Sequence, residues 1–85
     1  MLTTMGKILI IDDDRSLLKS SMVILKAEGY DVDAEPESKT ALGRIVTGQY
    51  DLIVTDIRMP NITGLEIIAE MRKRELETPV ILMTA

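Results

Sequence analysis

Cysteine and histidine are both absent from this 85-residue sequence. Without cysteine, the chain cannot form a disulfide framework or a thiolate metal site. Without histidine, it lacks the most common general base and the most common zinc ligand. Any metal site in this chain must therefore be built from oxygen ligands.

A long hydrophobic run and an N-terminal signal pattern are missing as well. The apolar stretches are far shorter than the roughly 20 residues of a membrane span, and residues 1–6 lack a basic region followed by an apolar one. The net charge of −4 argues against direct nucleic-acid binding by this segment. The apolar content of 46% excludes a disordered chain. We expect one cytoplasmic domain over residues 1–85, without membrane contact.

Short apolar runs alternate with amphipathic patterns along the chain. Apolar runs bounded by turn residues are typical of strands in a parallel sheet, and apolar residues spaced by three and four indicate helices that bury one face. The alternation predicts an α/β fold with a parallel sheet and right-handed crossovers. The predicted strands cover residues 7–11, 30–35, 52–54 and 80–83, and the predicted helices cover residues 16–28, 39–47 and 64–75.

Two of the predicted helices have candidate caps. Asp13 or Asp14 can cap the first helix, and Ser38 is a plausible cap for the second. For the third helix, the expected inward edge comprises Leu65, Ile68, Ala69 and either Met71 or Arg72.

The strand order cannot be read from periodicity, but the second strand alternates apolar and acidic residues, which is typical of a half-exposed edge strand. This suits the flavodoxin-like order 2-1-3-4, in which the first and third strands are neighbours at the switch point where ligands bind. The carboxyl ends of the strands would then bring together Asp12, Asp13 and Asp56, with Thr84 close by.

Carboxylates that converge in this way repel one another. Each pair costs on the order of 4 kcal/mol at 4 Å with an effective dielectric of about 20, so a proton or a cation is needed. Oxygen ligands at a partly open site favour Mg²⁺, and a carboxylate beside that ion can act as a nucleophile toward phosphorus. The residues therefore predict a metal-assisted phosphoryl acceptor.

Each of these features also has a simpler structural explanation. Residues 12–14 could serve only as a helix cap, although three acids exceed what capping needs. Asp56 could be a turn residue, Thr84 an ordinary strand end and Arg58 a solvated side chain. Their joint occurrence at three strand ends favours the functional interpretation.

From Lys7 to its last residue, the sequence strongly resembles the receiver domain of two-component response regulators. The most specific part of the match is Asp-Ile-Arg-Met-Pro at residues 56–60, with Gly64 four residues after the proline. The acidic cluster at residues 12–14 follows a strand like the family's first. The closing residues 79–85 resemble its fourth strand and switch residue.

The resemblance implies that Asp56 is the phosphoacceptor, which receives a phosphoryl group from a phosphohistidine on a sensor histidine kinase or a phosphotransfer protein. It implies that Asp13 binds Mg²⁺ directly and that Asp12 binds it directly or through water. Asp56 and the backbone carbonyl of Arg58 complete the implied protein ligands.

By the same resemblance, the Thr84 hydroxyl would turn toward the phosphoryl oxygen, and the Ala85 backbone N–H would donate to it. The added charge of about −2 would bias a two-state loop and surface. The domain is therefore expected to regulate rather than catalyse, with at most self-phosphorylation from small phosphodonors and self-dephosphorylation.

The family pattern continues beyond Ala85 with a helix, a strand that ends on an essential Lys, and a final helix. Because this sequence ends before them, we expect the N-terminal portion of a single receiver domain, impaired in signalling. The fourth strand would then be an exposed apolar edge, and such edges invite pairing with other chains. We predict that the chain self-associates through Val80–Met83 or exchanges elements with a partner.

Two other functions fit parts of the sequence. Residues 12–16 also fit the start of a haloacid-dehalogenase-like phosphatase, with Asp12 as nucleophile and Asp14 as acid/base, but this leaves residues 56–64 unexplained. A receiver that is never phosphorylated and serves only dimerisation is the other alternative. The identity of the phosphoryl acceptor separates the phosphatase from the phosphorylated receiver, because the phosphatase needs Asp12 and the receiver needs Asp56.

Overall fold

The four apolar runs pair as the strands of one parallel sheet. The strands β1, β2, β3 and β4 cover Lys7–Ile11, Asp31–Glu35, Leu52–Asp56 and Val80–Met83 in the computed structural model, which describes residues 5–84. Their order in the sheet is β2-β1-β3-β4, and every neighbouring pair is parallel. The predicted α/β fold and the flavodoxin-like strand order are therefore confirmed.

Three helices cover the two faces of the sheet. They are α1 (Arg15–Ala27), α2 (Ser38–Thr47) and α3 (Gly64–Lys73), so the predicted helices are present and no end differs by more than two residues. Within residues 5–84, none of them has the length and hydrophobicity needed to cross a membrane.

Alternate residues of β1 point into two different apolar clusters, which explains why this strand is a continuous apolar run. The cluster on the α1 face contains Ile8, Ile10, Leu18 and Val32. The larger cluster on the α2 and α3 face contains Leu9, Ile11, Ala41, Ile45, Ile53, Met59, Ile67 and Met71.

The start of α1 confirms one of the predicted caps. Asp14 is the N-cap, and its side chain accepts hydrogen bonds from the backbone N–H groups of Ser16 and Leu17, both at 3.1 Å. Gly29 follows the helix with a φ of 102°, a conformation that suits glycine. The cap fixes where the acidic loop after β1 turns into α1.

The predicted cap of α2 is wrong. The N-cap is Glu37, whose side chain makes no capping hydrogen bond, and Ser38 is the first residue of the helix. The side chain of Ser38 is instead committed to a distant loop, with which it makes two hydrogen bonds. A serine before an apolar pattern predicts a cap, but here a tertiary contact takes its hydroxyl.

The predicted inward edge of α3 is also largely wrong. Ile67 and Met71 are buried, whereas Leu65 is 57% exposed. The phase of the helix is set at its first residue, because Gly64 packs against the backbone carbonyl of Asp56, so closely that a Cβ would overlap it. The residues three and seven positions later then face inward.

The edge strand β2 has a more buried acidic face than its alternation suggests. Glu35 is 7% exposed and pairs with Arg44 of α2 at 3.3 Å. Asp33 accepts a 2.7 Å hydrogen bond from the Tyr50 hydroxyl and lies 3.6 Å from the Arg44 guanidinium. These ion pairs dock α2 on the edge of the sheet.

Candidate functional site

Three carboxylates converge where β1 and β3 end. Ile11 is in register with Thr55, so the next residues, Asp12 and Asp56, lie side by side at the carboxyl edge of the sheet. One oxygen from each of Asp12, Asp13 and Asp56 lies within 4.8 Å of the other two. The sequence prediction that these residues meet is confirmed by their positions.

Asp12 is the buried member of this cluster. It is 1% exposed, and its Oδ1 accepts a 3.0 Å hydrogen bond from the Asp14 backbone N–H. Burial raises the pKa of Asp12, and the nearby charges of Asp56, Asp13 and Asp14 raise it further, against the lowering effect of that hydrogen bond. An ionised Asp12 is therefore unfavourable unless a cation shares the site.

Asp56 is the member that is open to a reactant. It is the last residue of β3, it is half-buried, and it lines a cavity of about 440 Å³ together with Ile57, Arg58 and Thr84. Its position gives it access to solvent while its neighbour Asp12 has almost none. Of these two carboxylates, Asp56 is the one that an incoming group can reach.

The first two residues of the loop at residues 57–63, Ile57 and Arg58, line this cavity. The Ile57 carbonyl accepts from the Gly64 N–H at 2.9 Å, which closes the loop at its base. The Arg58 N–H lies 3.4 Å from Asp56 Oδ1. Met59 is buried beneath the loop, and Asn61 has a φ of 73°, a left-handed conformation that asparagine tolerates.

The donor set fits a Mg²⁺ ion. Its side-chain donors are all carboxylate oxygens, which hard divalent cations prefer. Because Mg²⁺–oxygen bonds are about 2.0–2.1 Å, two ligands of one ion lie at most about 4.2 Å apart. A cluster within 4.8 Å therefore needs only a small contraction to bind one ion.

The remaining predicted residues lie around the same cavity or outside the described part. Thr84 is exposed and lines the cavity with Asp56. The Arg58 side chain is exposed too. Ala85 lies outside residues 5–84, so the structure says nothing of its backbone N–H.

One residue beside the site was not identified from the sequence. Ser38 hydrogen-bonds to the loop at residues 57–63 and lines a small cavity of about 100 Å³ with Asp13 and Pro60. The nearest sequence signal was its location before an apolar helical pattern, which indicates a cap and not a contact with a loop 22 residues away.

Comparison with known sequences points to one family. The profile of the response regulator receiver domain matches residues 8–85. The chain is 42% identical over 81 residues to the response regulator ArlR of Staphylococcus saprophyticus and 35% identical over 79 residues to the transcriptional regulatory protein DltR of Streptococcus agalactiae. These alignments cover 95% and 93% of this chain, but only 36% and 35% of the two relatives.

Solved structures give the same result. The receiver domain of the Francisella response regulator 1452 superposes with a TM-score of 0.91 at 34% identity, covering 94% of this chain and 66% of that domain. The response regulator TrrA of Thermotoga maritima, solved in complex with Mg²⁺-BeF, gives a TM-score of 0.89 at 38% identity, covering 95% of this chain and 70% of TrrA. The similarity extends over nearly all of this chain.

Proposed function

This chain belongs to the response regulator receiver domain family of two-component systems, and from that premise we propose that Asp56 accepts a phosphoryl group. The observation that supports the proposal is the convergence of Asp12, Asp13 and Asp56 within 4.8 Å beside an open cavity. Receiver domains are regulatory, so the phosphoryl group would act as a switch.

In the proposed transfer, one carboxylate oxygen of Asp56 attacks the phosphorus of a phosphohistidine. A phosphorus–oxygen bond forms, the phosphorus–nitrogen bond breaks, and the imidazole leaves with the bonding electron pair. The product is an acyl phosphate on Asp56. Such a transfer needs an acceptor that is ionised and accessible, and the half-buried Asp56 at the mouth of its cavity meets the second requirement.

We propose that the same cluster holds Mg²⁺, with the carboxylates of Asp12, Asp13 and Asp56 and the backbone carbonyl of Arg58 as protein ligands. When bound, the ion would neutralise charge that develops on the transferring phosphoryl oxygens. It would also offset the repulsion among the carboxylates, which adds to the effect of burial in raising the pKa of Asp12. TrrA is a relative solved with Mg²⁺-BeF, a finding that supports this proposal without extending to this chain.

The response to phosphorylation is proposed to pass through the fourth strand. Thr84 would turn its hydroxyl toward the phosphoryl oxygen, and the Ala85 N–H would donate to it. The location of Thr84 on the cavity of Asp56 supports the first contact. The phosphoryl charge of about −2 would then select one of two arrangements of loop and surface. At most, the domain would phosphorylate itself from small phosphodonors and dephosphorylate itself.

The proposed partner is a sensor histidine kinase or a phosphotransfer protein in the cytoplasm. Residues 1–85 would form the N-terminal portion of one receiver domain, and the net charge of −4 gives this segment no electrostatic reason to bind nucleic acid. By themselves, these residues are proposed to signal poorly, because the Lys implied by the family resemblance is not among them.

Self-association through β4 is a further proposal. Within residues 5–84, β4 pairs only with β3, so its other edge has no strand partner. Ile81 of β4 is 51% exposed. It lines an apolar groove of about 390 Å³ beside α1, with Ile24 and Met83. An unpaired apolar edge of this kind favours pairing with a second copy.

Beryllofluoride, a phosphoryl mimic, tests the proposed function. We expect Mg²⁺ with beryllofluoride to raise the melting temperature of the chain and to have no such effect on Asp56→Asn. The same shift in both proteins, or none in either, would instead favour the non-phosphorylated dimerisation module. The phosphatase alternative has less support, since its nucleophile Asp12 is 1% exposed.

A further inference from the structure

The hydroxyl of Ser38 is a buried polar group that the proposed function does not use. The residue is 4% exposed. Its Oγ donates a 2.6 Å hydrogen bond to the Pro60 carbonyl and accepts a 3.3 Å hydrogen bond from the Ile62 N–H. Through these two contacts, the first residue of α2 is joined to the loop at residues 57–63.

The Met59 side chain holds the middle of that loop by packing in the core, but the loop makes few other hydrogen bonds to the rest of the chain. Its first residue is held by the Ile57 N–H, which donates to the Met83 carbonyl at 3.1 Å. Positions 58–62 also form hydrogen bonds with residues of the segment 55–66. Within residues 5–84, the only residue outside that segment that hydrogen-bonds to them is Ser38. The hydrogen bonds that fix the backbone of this segment to another element therefore come from one hydroxyl.

The start of α2, where Ser38 lies, is held in place by contacts with β2. The Glu37 N–H, just before Ser38, donates to Glu35 Oε2 at 3.0 Å. The other oxygen of Glu35, which is 7% exposed, pairs with Arg44 of the same helix at 3.3 Å. The start of α2 is thus tied to the edge of the sheet. The two Ser38 hydrogen bonds connect the loop at residues 57–63 to this fixed point.

We infer that Ser38 is a positioning residue for the Mg²⁺ site. It holds the Pro60 carbonyl and thereby fixes the backbone around Arg58, whose carbonyl is a proposed ligand two residues earlier. Its place beside Asp13, on a shared cavity of about 100 Å³, puts it between the acidic loop and this backbone. The inference rests on the proposed function of the site.

A titration of the 85-residue chain with MgCl₂, followed by backbone amide NMR shifts, tests this inference. Ser38→Ala removes both hydrogen bonds, and we expect it to weaken Mg²⁺ binding roughly tenfold, as loss of contacts behind a metal ligand typically does. In the metal-free protein, the Ile62 amide should shift as well. Ser38→Thr keeps the hydroxyl and can place its methyl group in the adjoining cavity, so its Kd should equal that of the parent.

Thr47→Ala is the matched control. It removes a hydroxyl from the other end of α2 that donates a 2.9 Å hydrogen bond to the Gly43 carbonyl, in an exposed position. A merely structural role for Ser38 predicts that both alanine variants lower the melting temperature and that neither changes the Mg²⁺ Kd. If Ser38→Ala does not fold, the same Mg²⁺ titration is made on Ser38→Cys, which keeps a similar side-chain volume but has a weaker hydrogen-bond donor.

A Mg²⁺ Kd for Ser38→Ala equal to that of the parent overturns the inference. Its failure is distinguishable from failure of the proposed function, which would appear as a parent chain that does not respond to Mg²⁺ and titrates like Asp12→Asn. A selective loss in Ser38→Ala, with Ser38→Thr and Thr47→Ala unchanged, supports the positioning role.

Discussion

The Asp14 backbone N–H donates a 3.0 Å hydrogen bond to Asp12 Oδ1, and it opposes every other influence on that carboxyl group. Burial and three neighbouring acids raise the pKa of Asp12, so the folded chain holds its proton more tightly than the unfolded chain does. In the absence of metal, ionised Asp12 therefore destabilises the fold. The ionised acidic cluster therefore lowers metal-free stability, a cost that the proposed Mg²⁺ would offset.

Asp12→Asn is expected to stabilise the metal-free chain and to abolish its stabilisation by Mg²⁺. The amide can still accept from Asp14, but it carries no charge to be buried. A gain of about 1 kcal/mol would raise the melting temperature of a domain this size by about 4–8 °C. Calorimetry with and without MgCl₂ measures both effects. Asp31→Asn, which removes an exposed acid at the start of β2, should change neither.

The raised pKa of Asp12 also makes the stability of the metal-free chain depend on pH. Because the folded-state pKa of Asp12 is raised above an unfolded value of about 3.9, protonation favours the folded state. Metal-free stability should then fall as pH rises from about 4 through the folded-state pKa. Denaturant titrations at several pH values should show this component in the parent chain and not in Asp12→Asn. Identical pH profiles in the two proteins would contradict it.

Gly64→Ala should damage both the fold and the site. An added Cβ would overlap the Asp56 carbonyl and lie 3.1 Å from Leu82 Cδ2, so the end of β3 must move. Overpacking of this kind costs about 1–3 kcal/mol. We also expect weaker Mg²⁺ binding, because Asp56 is displaced.

Gly43→Ala is the control for that variant, and it should raise the free energy of unfolding, which Gly64→Ala should lower. A Cβ at this position in α2 meets nothing within 4 Å, and alanine is better than glycine in a helix by about 0.5–1 kcal/mol. Chemical denaturation of the pair measures the difference. Destabilisation by Gly43→Ala, or none by Gly64→Ala, would show that the described packing around these glycines is wrong.

Tyr50→Phe is expected to destabilise the edge of the sheet. It removes the 2.7 Å hydrogen bond to Asp33, and a hydrogen bond to a charged group is worth about 1.5–3 kcal/mol. Burial, then the hydrogen bond and charge of Asp33, raise the pKa of Tyr50. The difference between the two proteins should therefore shrink above about pH 10, where the unfolded tyrosine ionises.

Tyr30→Phe provides the comparison for Tyr50→Phe. Within residues 5–84, the Tyr30 hydroxyl makes no hydrogen bond, so its removal should leave the unfolding free energy nearly unchanged. Equal losses in the two variants would mean that the contact with Asp33 contributes little.

Ile81→Glu tests self-association. The substitution places a charge on the exposed edge strand β4, where it would be buried in a pairing of two copies. Light scattering should show a shift of the parent's oligomers toward monomer in this variant. Leu65→Glu puts the same charge on another exposed apolar residue, in α3, and should leave the distribution unchanged. A parent chain that is monomeric at micromolar concentration contradicts the proposed pairing.

The strands were predictable because their signals are local and strong, whereas their order in the sheet was assumed from the edge-like alternation of the second strand. Residues 8–11 are apolar throughout, and a strand with that pattern must be buried on both faces. The convergence of Asp12 and Asp56 then follows from the parallel pairing of β1 with β3. The chemistry of the site was therefore predictable as soon as the order of the sheet was assumed.

The predictions were wrong where a tertiary contact determines the burial or the hydrogen bonding of a residue. Apolar residues occupy so many positions at the start of α3 that they fit more than one inward face, and the close approach of Gly64 to Asp56 selects the one with Ile67. The burial of Glu35 depends on Arg44, a partner on another element. Ser38 looked like a cap because its loop partner is 22 residues away.

The most direct measurement is intact-mass analysis of the chain after incubation with acetyl phosphate and MgCl₂, beside Asp56→Asn and Asp12→Asn. If Asp56 is the acceptor, the parent gains the mass of one phosphoryl group and Asp56→Asn gains none. Asp12→Asn should keep its acceptor and react more slowly, because it has lost a metal ligand. An adduct on Asp56→Asn that disappears in Asp12→Asn would contradict the assignment and restore the phosphatase alternative, and no adduct on the parent would contradict Asp56 as an acceptor in this chain.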